Sequence, residues 1–327
     1  MPHALHIFVL AGVALVAAAA PLAASAQAGF PTKPVRIIVP FGPGGASDQL
    51  PRLLGPRLAE LWGQQVIIDN RPGAAGNIGM DMGAKAPPDG YTLTSGPIGN
   101  LAVNPHIFKL PFDIFKDFTP ITMMGLVENG LVVHPSIPAR SVKELIALLK
   151  ARPAELTFGS GGVGTQAHVA GEMFKAMTGT NMTHVPYKGV GASVSDLLGG
   201  HLAMIFVQMH AALPHVNSGK LRALGVATLK RSAAYPNLPT IAEAGNLPGF
   251  ESISWYALIG PANMPAAIVN KIQSDSAKAL QTPELKERLA AQGVEPGGHT
   301  PAQLLAVMRA DYDRYGNIIR KVGIKAE

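Results

Sequence analysis

Glycine residues crowd one short stretch near the start of the chain, PFGPGGASD (residues 40–48), which follows an apolar run at 35–39. Because glycine has no Cβ, the backbone N–H groups of such a loop can approach a ligand closely. The segment that follows has helical periodicity, and the N-terminus of a helix attracts anions. We therefore predict an anion-binding loop, although an ordinary strand-to-helix turn capped by Ser47 or Asp48 would have the same composition.

A second glycine-rich loop, GSGGVGTQAHVAGEMF (159–174), repeats this arrangement of strand, loop and helix. Its glycines match G-x-G-x-x-G, which is a weak dinucleotide-binding signal when it stands alone. The acidic residue expected beyond the next strand is missing, because MTHVPYKG offers His184 and Lys188 there. We therefore expect neither NAD nor FAD.

Polar side chains in the second loop can add to its backbone donors. Ser160 and Thr165 carry hydroxyl groups, and His168 would lie one turn into the following helix, where packing is a commoner role than ligand contact. Two such loops that face each other across a cleft would hold a carboxylate between two sets of N–H donors.

Reacting groups do not accompany these loops in any familiar pattern. No serine lies in G-x-S-x-G, no G-K-[ST] follows either loop, and the ten histidines include no H-E-x-x-H. His201, His210 and His215 lack the i, i+4 spacing of a helical zinc site. Asp48 next to a bound carboxylate would cap the helix or hold a bound amine. The sequence favours a binding protein over an enzyme, and we expect no metal and no cofactor.

Composition narrows the class of protein. The 327 residues are 47% hydrophobic and 15% charged, which fits a folded chain of more than one domain. The net charge is +6, but the basic residues are scattered rather than clustered, so no nucleic-acid partner is expected. The chain has no cysteine, which excludes disulfides, a lipidated cysteine and thiolate metal sites.

The first residues resemble an export signal. An uncharged apolar run at 7–20 is followed by Ala24-Ser25-Ala26, a small-x-small cleavage site. The run is short for a membrane span. The segment before it lacks the Lys and Arg residues that usually begin a signal peptide. We predict a signal peptide at 1–26, cleaved near Ala26 and Gln27, and a periplasmic protein. An N-terminal anchor is the alternative.

Strand-like and helix-like segments alternate along the rest of the chain, which predicts an α/β protein with mostly parallel sheets covered on both faces. Strands are expected at 35–39, 66–68, 131–133, 156–160, 182–187, 202–207, 221–228 and 253–261. Helices are expected at 48–62, 80–86, 166–177, 190–198, about 265–280 and about 301–320, with another that begins at Ser141.

The pattern restarts in the middle of the chain, which predicts two lobes. Residues 126–226 would form lobe 2, and residues 27–125 together with 227–327 would form a discontinuous lobe 1. The chain would then cross between the lobes twice, and a cleft between lobes is a favoured place for a ligand.

Eight segments, taken in order, resemble one family. They are VPFGPGGASD, DNRPGAAGNIG, PPDGYTL, FGSGGVGTQAHVAGEMF, HVPYKG, GKLRALGVAT, LPTIAEAG and WYALIGPA, and together they span the chain from residue 39 to residue 262. The chain is similar in these segments to the Bug, or TctC-like, family, the extracytoplasmic solute-binding proteins of tripartite tricarboxylate transporters.

The resemblance implies a two-lobed, Venus-flytrap fold of the periplasmic binding protein type II kind, with a small carboxylate held between the two glycine loops. By position, the first loop contributes Phe41, Gly44, Gly45, Ala46, Ser47 and Asp48. The second contributes Ser160, Gly161, Gly164 and Thr165, with His168 behind it. At the far end of the cleft, Ser95, Asn100, Phe206 and Gln208 would choose the substrate, and a dicarboxylate or an aromatic acid is expected.

The resemblance also implies the partners, which are the membrane components of a tripartite tricarboxylate transporter, and we expect a monomer. Two alternatives stay open. The protein could be an exported hydrolase or isomerase that acts on a carboxylate, or a binding protein that signals to a sensor kinase.

Overall fold

Ten strands and eleven α-helices form the framework of residues 29–324, the part of the chain that the computed structural model describes. The predicted signal peptide lies outside these residues. The strands are β1 (Val35–Val39), β2 (Val66–Asn70), β3 (Thr92–Pro97), β4 (Phe118–Val133), β5 (Thr157–Ser160), β6 (Thr183–Pro186), β7 (Met204–Gln208), β8 (Arg222–Val226), β9 (Ile253–Pro261) and β10 (Val294–Pro296). The helices are α1 (Ala46–Trp62), α2 (Asn77–Ala84), α3 (Asn104–Ile107), α4 (Val142–Ala151), α5 (Gln166–Thr178), α6 (Val190–Leu198), α7 (Met209–Asn217), α8 (Ile241–Gly245), α9 (Ala266–Leu280), α10 (Pro283–Ala291) and α11 (Pro301–Val322).

The first sheet has the strand order β2-β1-β3-β9-β4, and β10 pairs with the other edge of β4. β1, β2 and β3 are parallel, whereas β9 and β10 run antiparallel to their neighbours. Apolar side chains of α1, α9 and α10 cover one face of this sheet, and those of α2 and α11 cover the other. The sheet is covered on both faces, as expected from the sequence, and it is mixed, with two parallel and three antiparallel strand pairings.

The second sheet has the order β6-β5-β7-β4, and β8 pairs with the other edge of β4. β5, β6 and β7 are parallel, while β7 and β8 run antiparallel to β4. Helices α4, α5 and α8 pack on one face, and α6 and α7 pack on the other. The second sheet therefore repeats the layered design of the first.

Strand β4 belongs to both sheets. It is 16 residues long, and its first part pairs with β9 while Asn129–Val133 pair with β7. A strand was expected at 131–133 alone; the longer strand also contains Pro120, Gly125 and Glu128, which are residue types depleted in strands. The pairing with two sets of neighbours keeps the segment extended in spite of these residues.

The segment after β8 packs with the second sheet. Ile241, Leu247 and Phe250 lie in the same apolar core as Phe158 and Phe206. The sequence analysis placed this segment in lobe 1. We propose instead that lobe 2 extends to about residue 252, where the chain enters β9.

No helix between residues 29 and 324 combines the length and the apolar character that a membrane crossing needs.

Candidate functional site

The first glycine loop connects β1 to α1. The helix begins at Ala46 rather than at Ser47 or Asp48, because Gly45 already takes the extended N-cap conformation (φ −84°, ψ 167°). Gly44 has φ +99°, a conformation that favours glycine. A Cβ built on Gly44 or Gly45 would meet no atom within 4 Å, so the loop borders open space.

Three backbone N–H groups at the start of α1 are left without a partner. Within the described residues, the N–H groups of Gly45, Ala46 and Ser47 reach no acceptor in the hydrogen-bond network. Such donors at a helix N-terminus, together with the positive end of the helix dipole, suit an anion.

The carboxylate of Asp48 holds this loop in shape. Its Oδ2 accepts the N–H of Gly44 at 3.0 Å, and its Oδ1 accepts hydrogen bonds from Arg52 Nε and Asn70 Nδ2, each at 2.9 Å. Burial alone would raise the pKa of Asp48, but these hydrogen bonds outweigh it and keep the pKa below its ordinary value. Asp48 is therefore a fixed anion within the loop, where its carboxylate holds Gly44, Arg52 and Asn70.

Ser95 also positions the loop. Its hydroxyl donates to the carbonyl oxygen of Ser47 at 2.9 Å, and both residues are buried. Phe41 is half-buried, and its carbonyl oxygen accepts from Asn70. The structure thus assigns Ser95 a contact with helix α1 instead of the expected place at the far end of the cleft.

Asn100 lies in a π-helix (Gly99–Val103) next to the loop at 74–76. Asn100 and Asn104 both donate from Nδ2 to the carbonyl oxygen of Ala75, at 3.0 and 3.2 Å, and to Asn77 Oδ1, at 3.1 and 2.9 Å. This network supports a turn in which Ala74 and Ala75 have positive φ. The sequence analysis missed Asn77 and Asn104. Asn77 lies within DNRPGAAGNIG, one of the eight family segments, whereas Asn104 lies outside all of them.

The second glycine loop contains its own hydrogen-bond network. Thr165 Oγ1 donates to the carbonyl oxygen of Gly162 at 2.7 Å, and Gly162 donates its N–H to Ser160 Oγ at 3.0 Å. The two hydroxyl groups expected to bind a ligand are thus used to shape the loop. Gly161 packs against the start of α6, since a Cβ built there would lie 3.3 Å from Val190.

His168 lies behind this loop, as predicted, and is 6% exposed. Its Nδ1 accepts the N–H of Gly164 at 3.2 Å, and its ring stacks on that of His184 at 4.1 Å between centroids. Burial and the nearby charges of His184 and Lys175 lower the pKa of His168 to about 3. A neutral imidazole therefore occupies the position that a ligand would need in order to reach the Gly164 N–H.

The second loop also touches the first lobe. A Cβ built on Gly164 would lie 2.6 Å from Asn104 Oδ1 and 3.0 Å from Phe108 Cε2, so glycine is required by contact as well as by its φ of +79°. Gly76, on the other side of the asparagine network, is in turn close to Phe41 of the first loop. The structure brings the two loops to either side of Asn100 and Asn104.

Two expected residues at the far end of the cleft differ in their surroundings. Phe206 is 2% exposed and packs against Phe174 and Phe250, at 5.7 and 5.9 Å between ring centroids. This position is a correction, because the alternation of β7 points Phe206 into the apolar core of the second sheet. Gln208 ends β7 and donates a hydrogen bond to the hydroxyl of Tyr256 in the neighbouring part of β9.

The contact between Ser160 and His184 has the residue types of a nucleophile and its base, with 2.7 Å between Oγ and Nε2. Burial and the charge of Lys175 lower the pKa of His184 to about 4, which makes its imidazole a weak base near neutral pH. Ser160 is also 1% exposed. The geometry favours a structural contact that anchors the loop to β6.

Comparison with known proteins agrees with this architecture. A model of the tripartite tricarboxylate transporter family receptor matches residues 51–324. The chain is 38% identical to the protein BugT of Bordetella pertussis over 318 residues, which cover 96% of this chain and 95% of BugT.

Two solved structures extend the agreement to three dimensions. The R. palustris protein Rpa4515, solved with adipate, is 37% identical with a TM-score of 0.86, and the match covers 91% of this chain and 100% of that one. MatC from Rhodopseudomonas palustris, solved with bound malate, is 28% identical with a TM-score of 0.82, and the match covers 89% and 100%. These matches confirm the two-lobed fold of the periplasmic binding protein type. The chain belongs to the Bug, or TctC-like, family of tripartite tricarboxylate transporter receptors.

Proposed function

We propose that this protein is a periplasmic solute-binding receptor that captures a small carboxylate beside its two glycine loops and delivers it to a tripartite tricarboxylate transporter. The observation that carries the proposal is the set of unpartnered N–H groups on Gly45, Ala46 and Ser47, at the start of a helix that borders open space. Asp48 and Ser95 hold these donors in place, so they are organised before a ligand arrives.

A dicarboxylate is the preferred ligand class. Rpa4515 and MatC were solved with adipate and malate, both of which carry two carboxylates. The case for an aromatic acid is weaker, because Phe206 lies in the core and leaves Phe41 as the aromatic side chain beside the first loop.

Export to the periplasm is part of this proposal. It is supported by the apolar segment and small-x-small site within residues 1–26, and by similarity to BugD, a periplasmic binding protein with which this chain shares 29% identity and a TM-score of 0.83. We further propose that the protein acts as a monomer and releases its ligand unchanged.

Catalysis is the second candidate function, and the Ser160–His184 contact is the observation that would favour it. The burial of Ser160 and the lowered pKa of His184 count against a nucleophile and base pair. A receptor that signals to a sensor kinase would use the same ligand site, and it differs only in its partner.

The test is a thermal-unfolding screen of the purified protein against dicarboxylates, hydroxy acids, amino acids and aromatic acids. A ligand at about 100 times its Kd stabilises the native state by about 2.7 kcal/mol, which is a readily measured shift in Tm. Recovery of the ligand unchanged after long incubation would support a receptor. Formation of a product would contradict it and favour the enzyme.

A further inference from the structure

Gln166 is the first residue of α5 and directly follows Thr165 of the second glycine loop. Its Nε2 donates two hydrogen bonds, one to the hydroxyl oxygen of Tyr315 at 2.5 Å and one to Oγ of Ser252 at 3.0 Å. Tyr315 lies on α11, which covers the first sheet, and Ser252 immediately precedes β9. The amide of Gln166 therefore joins the helix after the second loop to the part of the protein that is built on the first sheet.

Both partners of this amide are held in place by their surroundings. Tyr315 is fully buried in the same apolar core as Ile319, and its hydroxyl oxygen also accepts a hydrogen bond from Arg314 Nη2 at 3.2 Å. Burial raises the pKa of Tyr315 to about 12, so the phenol is neutral near pH 7. Ser252 is buried as well, and its backbone N–H donates to the carbonyl oxygen of Ala227 at 2.8 Å.

Ser252 lies where the chain crosses between the two sheets for the second time, and it is bonded to the first crossing. Asn129 lies on β4, at the start of the part that pairs with β7. Its Nδ2 donates to the carbonyl oxygen of Ser252 at 2.8 Å and to Oγ of Ser254 at 3.1 Å. Hydrogen bonds thus connect both crossings to Gln166. Because a change in the angle between the lobes has to bend the chain at these crossings, Gln166 joins the second loop to the hinge.

The second loop is attached at both of its ends. At its start, Ser160 Oγ lies 2.7 Å from Nε2 of His184, and this contact stays within the second sheet. At its end, Thr165 Oγ1 donates to the carbonyl oxygen of Gly162 at 2.7 Å, so the last part of the loop follows the first residue of α5. A displacement of Gln166 would therefore move these loop residues with it.

Apolar packing runs beside the hydrogen bond from Gln166 to Tyr315. Val169, three residues after Gln166 on α5, is buried in the same apolar core as Tyr315. Apolar burial has little directional preference, whereas a hydrogen bond requires a defined distance and angle. The packing brings α5 and α11 together, and the amide fixes how the start of α5 is oriented.

We propose that Gln166 is a positioning residue for ligand capture, which holds the second glycine loop against the facing lobe through the hydroxyl of Tyr315. The effect of this contact on ligand capture rests on the proposed function. Its effect on the loop itself does not, and it is measured without a ligand.

The test removes the hydroxyl on α11, outside the loop. Tyr315→Phe deletes the acceptor and keeps the ring, and Gln166→Met deletes the donor and keeps a similar length. Tyr312→Phe is the matched control, because Tyr312 lies one turn earlier on α11 and its hydroxyl makes no hydrogen bond within residues 29–324. Thermal unfolding verifies that each variant is folded. If Tyr315→Phe fails to fold, Gln166→Met is compared with the control in its place.

Hydrogen exchange of the backbone amides at residues 158–165 reports the attachment of the loop. The N–H groups of Gly162, Gly164 and Thr165 are hydrogen-bonded in the structure, so their exchange requires the loop to open. We expect this segment to exchange more than about fivefold faster in Tyr315→Phe and Gln166→Met, with no further increase in the double variant and less than about a twofold change in Tyr312→Phe.

Unchanged exchange in Tyr315→Phe, or an equal change in the control, would overturn the inference. Faster exchange spread evenly over both sheets would also overturn it, because that result means general destabilisation rather than release of one loop.

Calorimetry with adipate and with malate measures the effect on capture. For each of these acids that binds the unmodified protein, we expect Tyr315→Phe to weaken binding by more than about fivefold and Tyr312→Phe by less than about twofold. Retained affinity in Tyr315→Phe would overturn the positioning role even if the loop exchanges faster. If neither acid binds the unmodified protein, the exchange measurement decides whether Gln166 holds the loop, and the wider carboxylate screen decides the proposed function separately.

Discussion

Gly164 donates its backbone N–H to Nδ1 of His168 across 3.2 Å, so the second glycine loop is held by a neutral imidazole. The partner ring of His168 is that of His184, whose Nε2 contacts Ser160 at the other end of the loop. A proton on either ring would disturb this arrangement: on Nδ1 of His168 it would remove the acceptor for Gly164, and on either imidazole it would place a charge in a buried stack.

Stability should therefore fall on acidification. The pKa values of His168 and His184 are lowered to about 3 and about 4, whereas an unfolded histidine titrates near 6.5. Below about pH 6.5 the unfolded chain binds protons that the native state does not bind, so the free energy of unfolding is greatest above this pH and decreases toward pH 4. The expected slope is at most about 1.4 kcal/mol per pH unit for each histidine. Urea unfolding at about pH 7.5 and about pH 5 measures it, and His184→Gln should reduce it. Equal slopes in the two proteins would contradict the prediction.

Substitution of Gly45 should separate folding from ligand binding. Asp is a favourable N-cap residue, and Gly45 has an ordinary φ with open space around it, so Gly45→Asp should fold. The new carboxylate would accept the N–H groups at the start of α1 and would repel a ligand anion. We expect a loss of affinity of more than 100-fold for the best carboxylate of the screen, measured by calorimetry. Gly45→Asn has the same shape without the charge and should lose markedly less. Equal losses in the two variants would mean that charge at this position is irrelevant to binding.

Asp48 should contribute to stability as well as to binding. Asp48→Asn weakens the contacts with Gly44 and Arg52 in a buried position, and we expect the free energy of unfolding to fall by about 1–3 kcal/mol near neutral pH. Because the pKa of Asp48 is below its ordinary value, this contribution is present above that value and is lost as the pH falls through the native pKa. Chemical unfolding of both proteins measures the difference. Glu60→Gln, which alters an exposed ion pair with Arg57, should change stability by less than about 0.5 kcal/mol. A change in Asp48→Asn no larger than this control would refute the role.

Gly164 and Gly179 form a matched pair for the contact between the lobes. Both have positive φ, +79° and +64°, so alanine at either position costs about 1 kcal/mol or more in backbone strain. Only at Gly164 would the new Cβ press on Asn104, since nothing lies within 4 Å of a Cβ at Gly179. Gly164→Ala should therefore lower Tm further and weaken ligand binding, whereas Gly179→Ala should leave the affinity unchanged. If the two variants bind equally well, the contact has no effect on the site.

Regular periodicity made much of the fold predictable. The helix at Val190–Leu198 and the strand at Ile253–Pro261 have the bounds expected from the sequence, because each is a continuous run with clear end signals. Ser141 caps α4 as predicted, accepting the N–H of Glu144 at 3.1 Å. Helix α10, which begins at Pro283, was missed because its apolar stripe is narrow. Leu285 and Leu289 form this stripe, and most of the residues around them are polar.

The site was harder to predict because hydroxyl and amide groups have several partners available. Ser95, Ser160 and Thr165 have suitable groups for a ligand, yet each is used within the protein. Whether such a hydroxyl bonds to the protein or to a ligand depends on how the neighbouring elements pack, and this packing leaves no local signal in the sequence. Phe206 and Gln208 lie two positions apart on β7. Phe206 is in the core and Gln208 ends the strand, so a prediction that separates them has to know where β7 ends.

Because β4 is shared by both sheets, the two lobes depend on each other for their folding. Neither lobe has a complete sheet of its own, because β4 contributes to both sheets. A cut within Phe118–Val133 would leave each sheet with unpaired strand edges where β4 now lies. We therefore expect that neither lobe folds as an independent module. Any relative motion between them has to be absorbed within β4 and at the second crossing near residue 252, where the chain enters β9.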